Sequence, residues 1–201
     1  MLAVIDLDGV LSDVRHRLHH VARRPKDWRA FFAAAPQDPL LDEGARVVRA
    51  LAEVHDVVYL SGRPELCRAD TVRWLAQHDL PEAPLHLRPP TDRRPGRFYK
   101  VDALRRLAEQ QPVAVLVDDD PLVCDSARSA GFDSAGVAPA DLQDARHAAR
   151  LRAWLNAGMH GEMGYMDKLH QERTAGVEHI LPGTRSVIVL AASYWSPETD
   201  N

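Results

Sequence analysis

Cysteine is scarce in this chain of 201 residues: Cys67 and Cys124 are the only two, and neither has a CxxC partner. That argues against a disulfide framework or a thiolate zinc site, and it predicts a reducing, cytoplasmic setting. Lysine is nearly absent too, with three residues against 22 arginines. No apolar run approaches the roughly 20 residues that a membrane-crossing helix needs, and no basic region precedes a hydrophobic stretch at the N-terminus, so no membrane partner is predicted. Strong charge of one sign is also missing. A net charge of −4 is too mild for wholesale attraction to nucleic acid. Locally the balance differs: between His86 and Arg106, seven basic residues (Arg88, Arg93, Arg94, Arg97, Lys100, Arg105 and Arg106) meet only Asp92 and Asp102, a stretch suited to a polyanion. With 45% hydrophobic and 27% charged residues, the composition is that of a globular protein with room for one domain, or one compact domain and a fragment.

Three short apolar runs, Leu2–Leu7, Val57–Leu60 and Val113–Val117, have the texture of buried parallel strands. Helical periodicity lies between them, over Gly44–Val54, Pro64–His78 and Val101–Gln110. Alternation of this kind predicts an α/β fold with a parallel sheet and right-handed crossovers, whose ligands bind beyond the carboxyl ends of the strands. Asp6 and Asp8 close the first run, Ser61 the second, and Asp118 and Asp119 the third. Three distant segments should therefore converge on one crevice.

Each segment carries recognisable chemistry. Asp6-Leu7-Asp8-Gly9 sets two carboxylates at i and i+2, and Gly9 permits a sharp backbone departure. Leu60-Ser61-Gly62-Arg63-Pro64-Glu65 is predicted to leave a strand for a helix, where backbone N–H groups attract an anion; a Ser cap beside a surface Arg fits the same residues. Lys100 suits a transferring phosphoryl group beside carboxylates, although a surface lysine is the alternative. Val117-Asp118-Asp119-Asp120-Pro121 stacks like charges that repel unless a cation compensates, and hard oxygen ligands point to Mg²⁺ rather than zinc.

Together these four elements resemble, in order, the four motifs of the haloacid-dehalogenase (HAD) superfamily. The resemblance implies a Rossmannoid parallel sheet flanked by helices and a Mg²⁺-dependent phosphatase. Asp6 would be the nucleophile that forms an aspartyl-phosphate, and Asp8 the general acid and base. Ser61 and Lys100 would hold phosphoryl oxygens, and Asp6, the Asp8 backbone carbonyl, Asp118 and Asp119 would hold the ion.

Within that superfamily the chain looks closest to the 3′-phosphatase domain of polynucleotide kinase/phosphatase. The residues behind this are the run from Asp6 to Asp13, Asp27-Trp28 with Phe31-Phe32, the Ser61-Gly62-Arg63 motif, the segment from Thr71 to Leu75, Leu87-Arg88-Pro89, Asp92-Arg93-Arg94, Lys100 and the triple Asp run. By resemblance Gly62 and Arg63 join the phosphate site, and Arg88 is a candidate for substrate phosphate or backbone. Val10 and Asp120 depart from that family, which usually has Thr and, in the phage enzymes, Arg. Only a short helical stretch around Trp28–Ala35 separates the first two motifs, so no large cap is predicted. No GxxxxGK[ST] motif occurs, so kinase activity is not expected. The predicted substrate is a nucleic acid 3′-phosphate or a nucleotide-like ester. The rivals are a small-molecule HAD phosphatase and an inert HAD domain fused to a fragment of a tRNA-modification protein.

From about residue 127 the sequence resembles the N-terminal portion of epoxyqueuosine reductase, through Gly131-Phe132 to Pro139, Trp154 to Met166 and Leu181 to Leu190. That enzyme needs eight cysteines for its clusters, and none follows Cys124, so reductase activity should be absent. The organisation predicted is a phosphatase domain over residues 1–138 and a smaller α/β fragment over 139–201. Gly131–Pro139 would supply a last HAD strand, and Ser186–Ala192 a strand whose partners lie beyond Asn201, open to self-association. Met159, Met163 and Met166 are read as packing residues.

Overall fold

In the computed structural model, residues 1–139, 156 and 186–191 are described. The chain divides into two compact units, Met1–Val137 with Val189–Asn201, and Ala138–Ile188. The site lies wholly in the first.

Strand β1 (Leu2–Ile5) is buried along its whole length. It pairs in parallel on one side with β2 (Asp56–Pro64) and on the other with β4 (Val113–Val117). β3 (Leu85–Arg88) extends the sheet beside β2, and β5 (Ser134–Pro139) beside β4, both in parallel. The order is β3-β2-β1-β4-β5, followed by β6 (Ser186–Ala191). Partners for the last strand thus lie within the chain, where the sequence had suggested partners beyond Asn201. Its direct neighbour in the sheet order is β5.

Period-two alternation assigns the faces. Ala3, Ile5 and Tyr59 join a core with Ala45 and Val48 of α3 (Asp42–Ala52) and Trp74 and Leu75 of α4 (Arg68–Gln77). Leu2, Val4, Val58 and Leu60 point the other way, onto Tyr99, Ala103, Leu104 and Leu107 of α5 (Gly96–Ala108) and Val123 and Ala127 of α6 (Pro121–Ser129). Both faces are covered, which is why these strands are continuously apolar. Because the connection from β1 leads to β2 on one side and that from β4 leads to β5 on the other, β1 and β4 flank a topological switch point, and a crevice must open at their carboxyl ends.

Between β1 and α3 lie only short elements: α1 (His19–Ala22), α2 (Trp28–Ala33) and single 3-10 turns at Arg15–Arg17 and Ala35–Gln37. No large cap is built there. Two local readings differ from the sequence expectation. β2 runs on through Ser61 to Pro64 with a register shift against β3, and a 3-10 turn at Glu65–Cys67 precedes α4. Ser61 therefore sits in an irregular strand end and not at a helix N-terminus. β3, with its mixed burial, has too weak a pattern to be read as a strand from sequence.

Candidate active site

Beyond the ends of β1 and β4 lies an open crevice of 460 Å³, lined among others by Asp6, Asp8, Ser61, Gly62, Lys100 and Asp119. Asp6 is buried. Its Oδ2 lies 2.8 Å from Lys100 Nζ, which donates to Asp118 Oδ2 at 2.6 Å. Oxygens of Asp6, Asp118 and Asp119 come within 4.8 Å of one another. Asp6 Oδ1 is buried and has no hydrogen-bond partner among the described residues. One ammonium thus pairs with two carboxylates of a group of three.

The electrostatics follow from that imbalance. Burial pushes the Asp6 carboxyl up to about 7, Lys100 pulls against it, and Asp118 and Asp8 add to the rise. Asp118 is raised as well, by burial first. Asp119 is pushed up to about 7 by desolvation and then by the Asp6 charge, but its side chain reaches solvent, so water screens more of this effect than at Asp6. Lys100 is raised despite burial, because Asp6 and Asp118 favour its charged form. Clustered oxygens, an unpartnered buried carboxylate oxygen and excess negative charge fit a hard divalent cation.

The triple Asp run resolves its own repulsion by sending its members different ways. Asp118 turns to Lys100, and its Oδ1 accepts from the Asp120 backbone N–H. Asp120 caps α6, accepting from the Leu122 N–H at 2.9 Å, with Pro121 at the first helical position. Asp119 lies over Gly9, where a Cβ would stand 2.1 Å from its Oδ2; Gly9 also has a φ of +84°. Only glycine meets both demands. Gly44 on α3 is as constrained, since a Cβ there would stand 1.8 Å from the Val10 carbonyl oxygen.

Asp8 has different company. Its Oδ1 accepts from Arg17 at 2.8 Å, from Arg63 Nε at 2.8 Å and from the Ser12 hydroxyl at 3.1 Å. Behind it, buried Asp38 accepts from Arg17 through both oxygens at 2.7 Å and from Arg63 at 2.9 Å. The Arg17 guanidinium lies 4.1 Å from the Phe31 ring centroid. Burial raises the Asp8 carboxyl, but Arg63 and Arg17 together outweigh burial and hold it below the ordinary range. Asp8 is thus absent from the carboxylate trio. Its side chain serves the arginines.

The structure brings together Asp6, Asp8, Ser61, Gly62, Lys100, Asp118 and Asp119. Arg63, predicted at the phosphate, is buried beside the crevice and bound to Asp8, Asp38, Ser12 and Thr71. A buried guanidinium needs partners for its donors, and these satisfy it. Arg88 also stands outside the crevice lining. Its guanidinium lies 5.4 Å from the Tyr99 ring centroid, and its buried Nε has no hydrogen-bond partner among the described residues. Arg17 and Asp38 were missed in the sequence. Arg17 sits in a run of basic and histidine residues that reads as surface, and its only signal was its closeness to the first motif.

The family model for the polynucleotide kinase PNKP phosphatase domain matches residues 1–142. One solved structure, of a Pnkp1/Rnl/Hen1 complex, aligns with a TM-score of 0.53 and 27% identity over 66% of this chain and 43% of that one. A structure of the Pnkp1/Rnl/Hen1 RNA repair complex aligns with a TM-score of 0.52 and 26% identity, over 66% of this chain and 40% of that one. The C-terminal region is similar to epoxyqueuosine reductases: 47% identical over 68 residues to that of Gloeobacter violaceus, and 39% over 75 residues to that of Pseudomonas aeruginosa. These matches cover 34% and 37% of this chain, and the chain spans about a fifth of those relatives. No helix among the described residues is long and apolar enough to cross a membrane. The matched domain, its fold and its site agree: the chain belongs to the PNKP phosphatase-domain family and carries a HAD-type phosphatase domain.

Proposed function

We propose that this domain hydrolyses terminal phosphomonoesters, with polynucleotide 3′-phosphates as substrates, through an aspartyl-phosphate on Asp6. The observation that carries the reading is the arrangement around Asp6: an unpartnered carboxylate oxygen, a buried ammonium at 2.8 Å and two further carboxylates, at the floor of an open crevice.

In the first half, an Asp6 oxygen attacks phosphorus, the bond to the leaving oxygen breaks, and Asp8 donates that oxygen its proton. In the second, Asp8 takes a proton from water, and the resulting attack on phosphorus frees Asp6 and inorganic phosphate. Arg17 and Arg63 favour the ionised form of Asp8, which suits the second half. An incoming phosphate dianion opposes their pull and favours the protonated form that the first half needs. Lys100 offsets charge on Asp6 and the phosphoryl oxygens, while Ser61 and the open backbone at Gly62 line the phosphate side. Mg²⁺ would be held by Asp6, Asp118 and Asp119 with the Asp8 backbone carbonyl, and when bound it supplies Lewis-acid neutralisation of the phosphoryl charge.

With no large cap among the described residues, the crevice admits a bulky end. A polynucleotide substrate is supported by the family match and by the likeness to a protein solved in an RNA repair complex. Residues 139–201 are read as an epoxyqueuosine-reductase-like fragment that brings no reductase chemistry. The test is hydrolysis of a 3′-phosphorylated oligonucleotide set against nucleotides and sugar phosphates, with Mg²⁺ or chelator. Preference for the oligonucleotide supports the reading, and preference for a small ester replaces it with the small-molecule phosphatase. Activity that survives Asp6→Asn overturns the nucleophile assignment.

A further inference from the structure

We propose that the groove between α5 and α6 is the track for the single strand whose 3′-phosphate occupies the crevice, with Phe98 as a base-stacking platform and Arg97 as a phosphate contact. The proposal rests on the polynucleotide reading above and adds where the strand runs.

Beside the crevice lies a groove of 720 Å³, walled by Arg94, Arg97, Phe98 and Arg105 on the α5 side and by Leu122 and Ser126 of α6. The two depressions adjoin on both walls. Gly96 and Pro121 line the crevice, and the next residues along each helix, Arg97 and Leu122, line the groove. Helix α5 is the shared wall: Lys100 reaches inward to Asp6 and Asp118, while Phe98, 47% exposed, stands on the outer side. From Gly96 to Arg105 the helix runs roughly 13 Å, room for several bases beyond the terminal phosphate.

Charge identifies the occupant. The groove's carboxylates are already engaged: Asp102 pairs with Arg94 at 2.7 Å and with Arg105 at 3.5 Å, and Asp125 with Arg128. Arg97 forms no ion pair among the described residues, and its guanidinium lies 4.5 Å from the Phe98 ring centroid. Arg93 and Arg106, which line a neighbouring pocket beyond Arg94, likewise form none among them. An exposed aromatic ring beside an uncommitted guanidinium, next to a phosphate-handling site, matches the needs of a single strand: a stacking face for bases and cations for the backbone. A protein partner's apolar segment would instead meet Arg94, Arg97 and Arg105 in the lining of the same groove.

Steady-state kinetics with 3′-phosphorylated mononucleotide, dinucleotide and octanucleotide test this. Wild-type KM should fall with length. Phe98→Ala and Arg97→Ala should each raise the octanucleotide KM about tenfold while moving the mononucleotide KM by less than about twofold. Arg97→Ala should also flatten the salt dependence of octanucleotide KM, and Arg97→Lys should restore part of the loss. If wild type prefers the octanucleotide and both variants keep that preference, or if both KM values rise together, the track is overturned. A wild type indifferent to length overturns the polynucleotide reading itself, and the track with it.

Discussion

Asp6 and Asp8 are two residues apart, yet they occupy opposite electrostatic worlds. Around Asp6, three carboxylates face one ammonium, and the carboxyl is pushed up to about 7. Around Asp8, two carboxylates face two guanidiniums, and the carboxyl is held down. The first side carries an excess of negative charge that suits a divalent cation, and the second is balanced by the protein alone. In the proposed mechanism this separates two chemically identical groups into a metal-side nucleophile and a protein-tuned proton carrier.

The strongest way to break this contrast is to remove each carboxylate in turn. Asp6→Asn should cost about 10⁴-fold or more in turnover of any phosphomonoester. With p-nitrophenyl phosphate, whose leaving group needs no proton, Asp8→Asn should still release a burst of nitrophenol in rapid-quench measurements and then stall, because the second half lacks its base. Equal silence of the two variants would show that the roles are not divided.

Next in size, Arg17→Ala should lower kcat by about 10²-fold, and the pH–rate limb that belongs to Asp8 should move to higher pH, since an acid relieved of a neighbouring cation holds its proton longer. Arg17→Ala and Arg63→Ala should combine less than additively, because both act through Asp8 and Asp38.

A smaller effect sharpens the Asp6 side. Its carboxyl, at about 7 against an ordinary 3.8, and that of Asp119 are raised in the fold. Without metal the folded state therefore prefers their protonated forms, and stability falls as pH rises from the ordinary carboxylate range through about 7. Mg²⁺ competes with those protons, so thermal unfolding should show a larger rise in Tm on adding Mg²⁺ at pH 8 than at pH 6. Least of all, Gly44→Ala should cost about 1–3 kcal/mol in urea unfolding, as the added methyl displaces the Val10 carbonyl beneath the Asp6–Asp8 loop.

How much of this was legible in the sequence divides by interaction range. β1 and β4 could be read because strands buried on both faces are unbroken apolar runs, and the acidic residues at their ends followed from topology. Lys100 stood out as a rare lysine in an arginine-rich chain. Arg17 and Asp38 carry no comparable pattern: their burial depends on α2 and the turn at Ala35–Gln37 folding over the loop after β1. Arg63 was found but its company was not, because pairing between a guanidinium and two distant carboxylates leaves no periodic trace. The direction taken by each member of the triple Asp run was equally hidden until Asp120 proved to be a cap.

The pairing of β1 with β4 has a consequence for the order of events during synthesis. Asp6 leaves the ribosome well before its ammonium partner, which arrives with α5, and before its second carboxylate, which arrives with the turn after β4. Until those segments are made the Asp6 carboxyl lacks these neighbours, and it gains its perturbed environment only when the parallel register of β1 with β4 closes. Turnover is a late reporter of that closure, and a nascent chain halted before Asp118 should be inert however well its first strands have formed.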